Sequence, residues 1–299
     1  MQLFDNNVLN NIKHLESPTS IINNILNVDE VKKLIDFEQN ATERFANRDD
    51  ARKTGLGKNG KVETDPEKWD PEIKDLLVNK IQELIGDFSI ADDEYPPHFF
   101  RTTFPLSIHA DTGHDGNAVV YKQLLFPLES TPPGKAKTII FKNKWHGPAA
   151  SFVPRNSKRN EFQYSLLDDN GKFIVIEDIK QFFNEIRSSE SNVVKKNEGV
   201  FTISDEFLTK VEGLANSKRY NIWTDEHISN DTPFDKVMYE KYLSHIPYDT
   251  LNSLEIEKVF DWNPGSVLVW NRTNLHSSSN YIKDGVKSKL GLAIFTVRK

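Results

Sequence analysis

Ile108-His109-Ala110-Asp111-Thr112-Gly113 is the stretch on which the reading of this chain turns. Side chains alternate along a strand, so His109 and Asp111 share a face and can enter one cavity together. An imidazole and a carboxylate side by side are two metal ligands, but they are equally a hydrogen-bonded pair at a strand end. A second histidine, His276, changes that balance because of what precedes it. Asn263-Pro264-Gly265 is a turn signal, and Ser266-Val267-Leu268-Val269-Trp270 is a short apolar run of β-branched and aromatic residues, the pattern of a buried strand. A polar bend from Asn271 to Asn274 then delivers His276. Two histidines and one carboxylate on one side of an ion leave its opposite positions open.

The surroundings are those of a β protein. Pro97 to Phe104, Val119 to Leu128, Thr138 to Phe141, Leu254 to Phe260, Ser266 to Trp270 and Lys289 to Val297 read as short strands separated by turn residues such as Thr131-Pro132-Pro133-Gly134. That spacing points to a sandwich or barrel rather than to βαβ units. Residues 1–90 read as helical. One helix is expected around Val31, Leu34, Ile35 and Phe37, with Asp29 as its cap, and a second opens at Asp70-Pro71 with Leu76, Leu77, Ile81, Leu84 and Ile85 on one face. Such helices pack outside a sheet. Residues 144–250 are mixed and polar, with helices expected at Asp178 to Ser188, Asp205 to Ala215 and Phe234 to Leu243. This stretch reads as an insertion between two strands, placed where a barrel mouth varies its pocket.

Composition narrows the chemistry. The chain has 299 residues, enough for one large domain with a sizeable core, and a formal net charge of −6, the wrong sign for a nucleic-acid surface. It has no cysteine, so a metal site must use His, Asp or Glu, and the expected setting is a reducing cytoplasm. No run reaches the ~18 apolar residues of a membrane span. The Gly55, Gly57 and Gly60 stretch near Lys58 and Lys61 lacks the Gly-Lys-Ser/Thr ending of a phosphate loop.

His-x-Asp, a long gap, a Gly-containing turn before an apolar strand, a distal histidine and a later basic residue together resemble the Fe(II)/2-oxoglutarate-dependent dioxygenase superfamily, in its prolyl-hydroxylase-like or phytanoyl-CoA-hydroxylase-like branches. The resemblance implies a mainly β chain with flanking helices (α+β): a double-stranded β-helix, the jelly-roll or cupin-like core, formed by residues 95–143 and 251–299, supported by helical residues 1–90 and interrupted by the insertion. It implies that His109, Asp111 and His276 hold Fe(II) and that 2-oxoglutarate and O2 are cosubstrates. An unactivated C–H bond of a peptide side chain or small metabolite would be hydroxylated, with release of succinate and CO2. Because Asp111 is a carboxylate, halogenation, which needs that position free for halide, is disfavoured.

The distal carboxylate of 2-oxoglutarate needs a cation, usually Arg. Here no Arg lies between His276 and Arg298, which leaves Lys289 or Lys287, on one strand face with Gly291 and Ala293, a small face with room for a ligand. Arg101 and Tyr121, on flanking strands, are further candidates to touch the cosubstrate. His114 is a weaker alternative to His109, lying past Gly113 and lacking the following carboxylate. The competing class is a non-catalytic cupin-like module that binds a metal or ligand. The oligomeric state is not readable from the sequence.

Overall fold

The computed structural model describes residues 11, 14–40, 61–63, 70–90, 97–111, 119–144, 150–151, 153–156, 161–167, 173–176, 193–196, 199–202 and 232–298. Eight strands carry the architecture: β1 His98–Thr102, β2 His109–Ala110, β3 Val119–Thr131, β4 Lys137–Lys144, β5 Ile256–Asp261, β6 Val267–Asn271, β7 Asn274–Ser278 and β8 Ser288–Arg298. They pair antiparallel in two sheets, one in the order β1-β8-β3-β6 and the other in the order β2-β7-β4-β5. Apart from β4 and β5, which pair with each other, successive strands cross between the sheets, and the chain thereby winds two sheets face to face: the double-stranded β-helix expected from the sequence. Short strands extend the edges: Ser20–Ile22 on β6, Lys61–Glu63 on β1, Ser89–Ile90 on β8 and Ala150–Ser151 on β2.

Alternation sorts the side chains into two cores. One face of β3, β6 and β8 sends Leu124, Phe126, Leu128, Val267, Val269, Leu290, Leu292 and Ile294 outward against helices α1 (Val28–Asn40) and α2 (Pro71–Ile85). The other face sends Leu125, Leu268 and Trp270 inward to meet Ile140, Phe260, Trp262 and Tyr281 between the sheets. Both helices lie where the apolar periodicity put them. Helix α2 is capped by Asp70, which accepts from the Glu72 N–H, with Pro71 in the first turn.

The start of α1 departs from expectation. Ser20–Ile22 is a strand, and the cap is Asn27 rather than Asp29. Asn27 Oδ1 accepts from the Glu30 N–H while Glu30 Oε2 accepts from the Asn27 N–H, a reciprocal capping box that pins the helix start. The turn before β6 is held by Gly265, at φ +86°, where a Cβ would lie 2.6 Å from the Leu26 carbonyl oxygen. Leu26 N–H donates to the Gly265 carbonyl, so the glycine ties the approach to α1 onto the strand that leads to His276.

The connection from β4 to β5 is richer in strands than its composition suggested. Val153–Asn156, Glu161–Leu167 and Phe173–Ile176 form one sheet, and Val193–Lys196 pairs with Gly199–Thr202. The helices expected at 178–188 and 205–215 fall outside the described residues. The third is present, as Lys236–Met238 continuing into a wider π turn at Tyr239–Leu243. Among the described residues no helix is long and apolar enough to cross a membrane.

Candidate metal centre and anion pocket

His109 and His276 are direct register partners on the adjacent strands β2 and β7, and their rings lie 4.1 Å apart. Asp111 follows β2 immediately. Its Oδ2 is 3.2 Å from His276 Nε2 and 3.7 Å from His109 Nε2. One donor atom from each of the three falls within 4.8 Å of the others. The hydrogen bonds fix which nitrogens converge: His109 Nδ1 lies 2.7 Å from the Ser107 carbonyl and His276 Nδ1 lies 3.2 Å from that of Asn274. A carbonyl only accepts, so each Nδ1 carries a proton, and in the neutral ring Nε2 is then the nitrogen with a lone pair to offer a metal. Two imidazole lone pairs and a carboxylate oxygen thus meet at one point. Octahedral ligands at about 2.1 Å from an ion stand about 3 Å apart, so this donor set, spread over no more than 4.8 Å, is of a size to draw in around a divalent metal.

Groups around the triad hold it in place. Gln123 Nε2 donates to Asp111 Oδ2 at 3.0 Å, and the Arg272 Nε–H donates to the Asp111 backbone carbonyl at 3.0 Å. Trp270 packs edge-on to His276, with ring centroids 5.1 Å apart. Carbonyl and amide partners of this kind set ligand orientation and basicity. Neither Gln123 nor Arg272 is among the residues that the sequence singles out. The signal for Gln123 was there: a lone amide in an apolar strand, sharing the inward parity of Leu125.

Lys289 faces the same interior. It is 2% exposed, pairs across the sheet with Thr102 and Ser130, and donates from Nζ to Ser278 Oγ at 3.0 Å. Ser278 is two residues from His276 on the same face of β7, about 7 Å along the strand. The Lys289 ammonium lies 4.1 Å from the centroid of the Trp262 ring and 5.2 Å from that of Tyr281. No carboxylate pairs with it among the described residues, and burial pushes it down to about 7. Beside it, Thr138 is the register partner of Ser278 and presents a buried hydroxyl that has no partner among the described residues. Burial pushes the Tyr281 phenol up to about 12, so it stays a neutral hydroxyl, bonded to Thr102 Oγ1 at 3.1 Å. An unneutralised cation ringed by hydroxyls is a receptor for an anion.

The other candidates are not brought to this pocket. Lys287 is exposed and precedes β8, with its N–H donating to the Thr131 carbonyl. Arg101 shares the outward face of Leu290 and Glu129, where its guanidinium pairs with Glu129 and with Glu38 of α1. Tyr121 sits at a register shift in β3 that turns it to the helix side; its hydroxyl donates to the Ile85 carbonyl and Arg298 stacks on its ring. The face beyond Lys289 is also less roomy than Gly291 and Ala293 suggested. A Cβ on Gly291 would lie 2.8 Å from Trp262 Cζ2, so the indole already fills that space. His114 falls outside the described residues.

No model of a known protein family matches the sequence, and no curated protein matches it. Solved structures with a similar trace include a prolyl-4-hydroxylase from Pseudomonas putida, 9% identical, with a TM-score of 0.34 over 98% of this chain and 98% of that one. HygX from Streptomyces hygroscopicus, with nickel and 2-oxoglutarate bound, is 11% identical, with a TM-score of 0.40 over 97% of this chain and 86% of that one. The non-heme α-ketoglutarate-dependent carbocyclase SnoK is 10% identical, with a TM-score of 0.41 over 99% of this chain and 84% of that one. These are distant likenesses. The chain's own strand order and side chains define it as a double-stranded β-helix whose interior joins a His-Asp-His donor set to a buried, unneutralised lysine.

Proposed function

We propose that the protein is an Fe(II)- and 2-oxoglutarate-dependent oxygenase that hydroxylates a C–H bond of a small metabolite or peptide side chain. The observation that carries this reading is the pairing of two sites on one face of β7: convergent lone pairs at His276 and, two residues on, a buried ammonium at Ser278. A five-carbon 2-oxo diacid has the matching chemistry, a chelating keto acid at one end and a carboxylate at the other. His109, Asp111 and His276 would hold the iron on one side and leave the opposite positions open. Bound there, iron with its cosubstrate supplies the oxidising power for C–H hydroxylation.

The remaining work falls to the chain. Gln123 and Arg272 orient Asp111, Lys289 with Ser278 and Thr138 receives the distal carboxylate, and the apolar walls of Trp270, Phe100 and Phe295 exclude water. The insertion at 144–250 would shape the substrate mouth. Its support is Ala150–Ser151, which pairs directly with His109–Ala110 and so brings the start of the insertion against the strand that carries the triad.

The test is anaerobic titration of the metal-free protein with Fe(II) and then 2-oxoglutarate, followed by visible absorption, with succinate measured after oxygen is admitted. A visible band on addition of the 2-oxo acid, its loss in His276→Ala, and succinate release are expected. Iron binding with neither band nor succinate would leave the cupin-like metal-binding module, and no iron binding would remove the triad.

A further inference from the structure

We propose that Trp262 is a positioning residue for Lys289: its indole face takes the place of a counter-ion, keeps the buried ammonium aimed into the interior, and so sets the preference for a ligand that carries a distal carboxylate. The proposal rests on the reading of Lys289 as the carboxylate receptor.

Four observations lead there. Lys289 Nζ stands 4.1 Å from the Trp262 ring centroid, within cation–π range, and a desolvated cation over an indole is the strongest form of that contact. An ammonium has three donors, and among the described residues Ser278 Oγ is the one oxygen it is bonded to, so the π face supports a charge that otherwise has little to hold it. The indole itself is fixed: Trp262 is fully buried, its Nε1–H donates to the Glu129 carbonyl at 3.0 Å, and its backbone N–H donates to the Ala136 carbonyl. Finally, the strand opposite is cut back to admit it, since a side chain at Gly291 would collide with Cζ2 and Cη2 at 2.8 and 2.9 Å. A tryptophan that only filled space would not need to lie over a buried ammonium that has no carboxylate partner among the described residues.

The experiment compares two ligands on the Fe(II)-loaded full-length protein by anaerobic calorimetry: 2-oxoglutarate, and 2-oxobutyrate, which lacks the distal carboxylate. The ratio of their affinities isolates the contribution of the Lys289 end. Lys289→Met is expected to bring the ratio close to one. Trp262→Leu should cut it about tenfold while Trp262→Phe, which keeps an aromatic face, stays within about threefold of the parent, with iron affinity unchanged in both. If Trp262→Leu does not fold, uniform 5-fluorotryptophan labelling replaces it. Fluorine weakens the π face at nearly constant size, so the ratio should fall in the parent and not in Trp262→Phe.

A ratio that survives Lys289→Met overturns the assignment of Lys289 itself, and this proposal with it. A ratio that collapses in Lys289→Met but is unmoved by loss or fluorination of the indole, or falls equally in the Leu and Phe variants, overturns the role of Trp262 alone.

Discussion

Lys289 should be a destabilising residue in the ligand-free protein, and measurably so. Its ammonium falls from 10.5 to about 7 on burial, which corresponds to about 5 kcal/mol of charge desolvation. The folded state releases this proton near pH 7 while the unfolded chain keeps it to pH 10.5. Between those values the unfolded state binds more protons, and stability rises with pH. The full cost therefore applies below pH 7 and is gone above 10.5. Lys289→Met removes the charge and keeps most of the bulk, but forfeits the bond to Ser278 and the ring contact, about 1–2 kcal/mol together. Metal-free Lys289→Met should thus be more stable than the parent by about 3 kcal/mol at pH 6, and close to equal to it at pH 9.5. Urea denaturation at the two pH values reads this directly, and other titrating groups cancel in the difference except His245, whose imidazole the Lys289 charge helps to hold down. A variant less stable than the parent at pH 6, or a difference that does not change with pH, would show that the ammonium is neutralised within the protein, and the anion-receptor argument would fall.

Other outcomes follow from the same contacts. Gln123→Leu strips the amide that donates to Asp111 Oδ2 and should weaken Fe(II) binding about 10- to 100-fold in a competitive chelator titration, without altering helix content. Arg101→Met leaves Glu38, itself 1% exposed, without its guanidinium. It should cost roughly 3 kcal/mol in urea yet leave 2-oxoglutarate affinity on the iron-loaded protein unchanged. Burial holds the His245 imidazole down to about 4, so the neutral ring contributes stability that is complete above pH 6.5 and lost as pH falls toward 4; His245→Leu should flatten the acid limb of the stability curve over that interval. Asn27→Ala opens the capping box and should cost about 1 kcal/mol.

Much of this was legible in the sequence because it is carried by local rules. Strand parity alone put His109 beside Asp111, and the turn at Gly265 with its apolar strand located His276. Lys289 was separable from Lys287 only by the reach of β8: one residue lies inside the pairing with Thr102 and the other just before it. What local rules do not carry is which face of a sheet a polar residue takes when the register shifts. Arg101 and Tyr121 were on the right strands, but Arg101 has the parity of Leu290, and a bulge rotates Tyr121 toward α2. The space that Gly291 seemed to leave was claimed by Trp262, a residue just past the end of β5 whose position no periodicity announces. The insertion was hardest, since polar composition fails to distinguish short strands from helices.

The order of the two sheets has a consequence for the chain as a covalent object. Strands β1 to β4 precede the long connection and β5 to β8 follow it, yet every pairing among the eight joins a strand of the first set to one of the second. Neither half can build a sheet from its own four strands; each supplies the other's hydrogen-bond partners, like the fingers of clasped hands. The triad repeats this division, with His109 and Asp111 from one half and His276 from the other. A break in the connection between β4 and β5 would therefore yield two fragments that fold only on each other. An ion bound between them would tighten their grip by mass action.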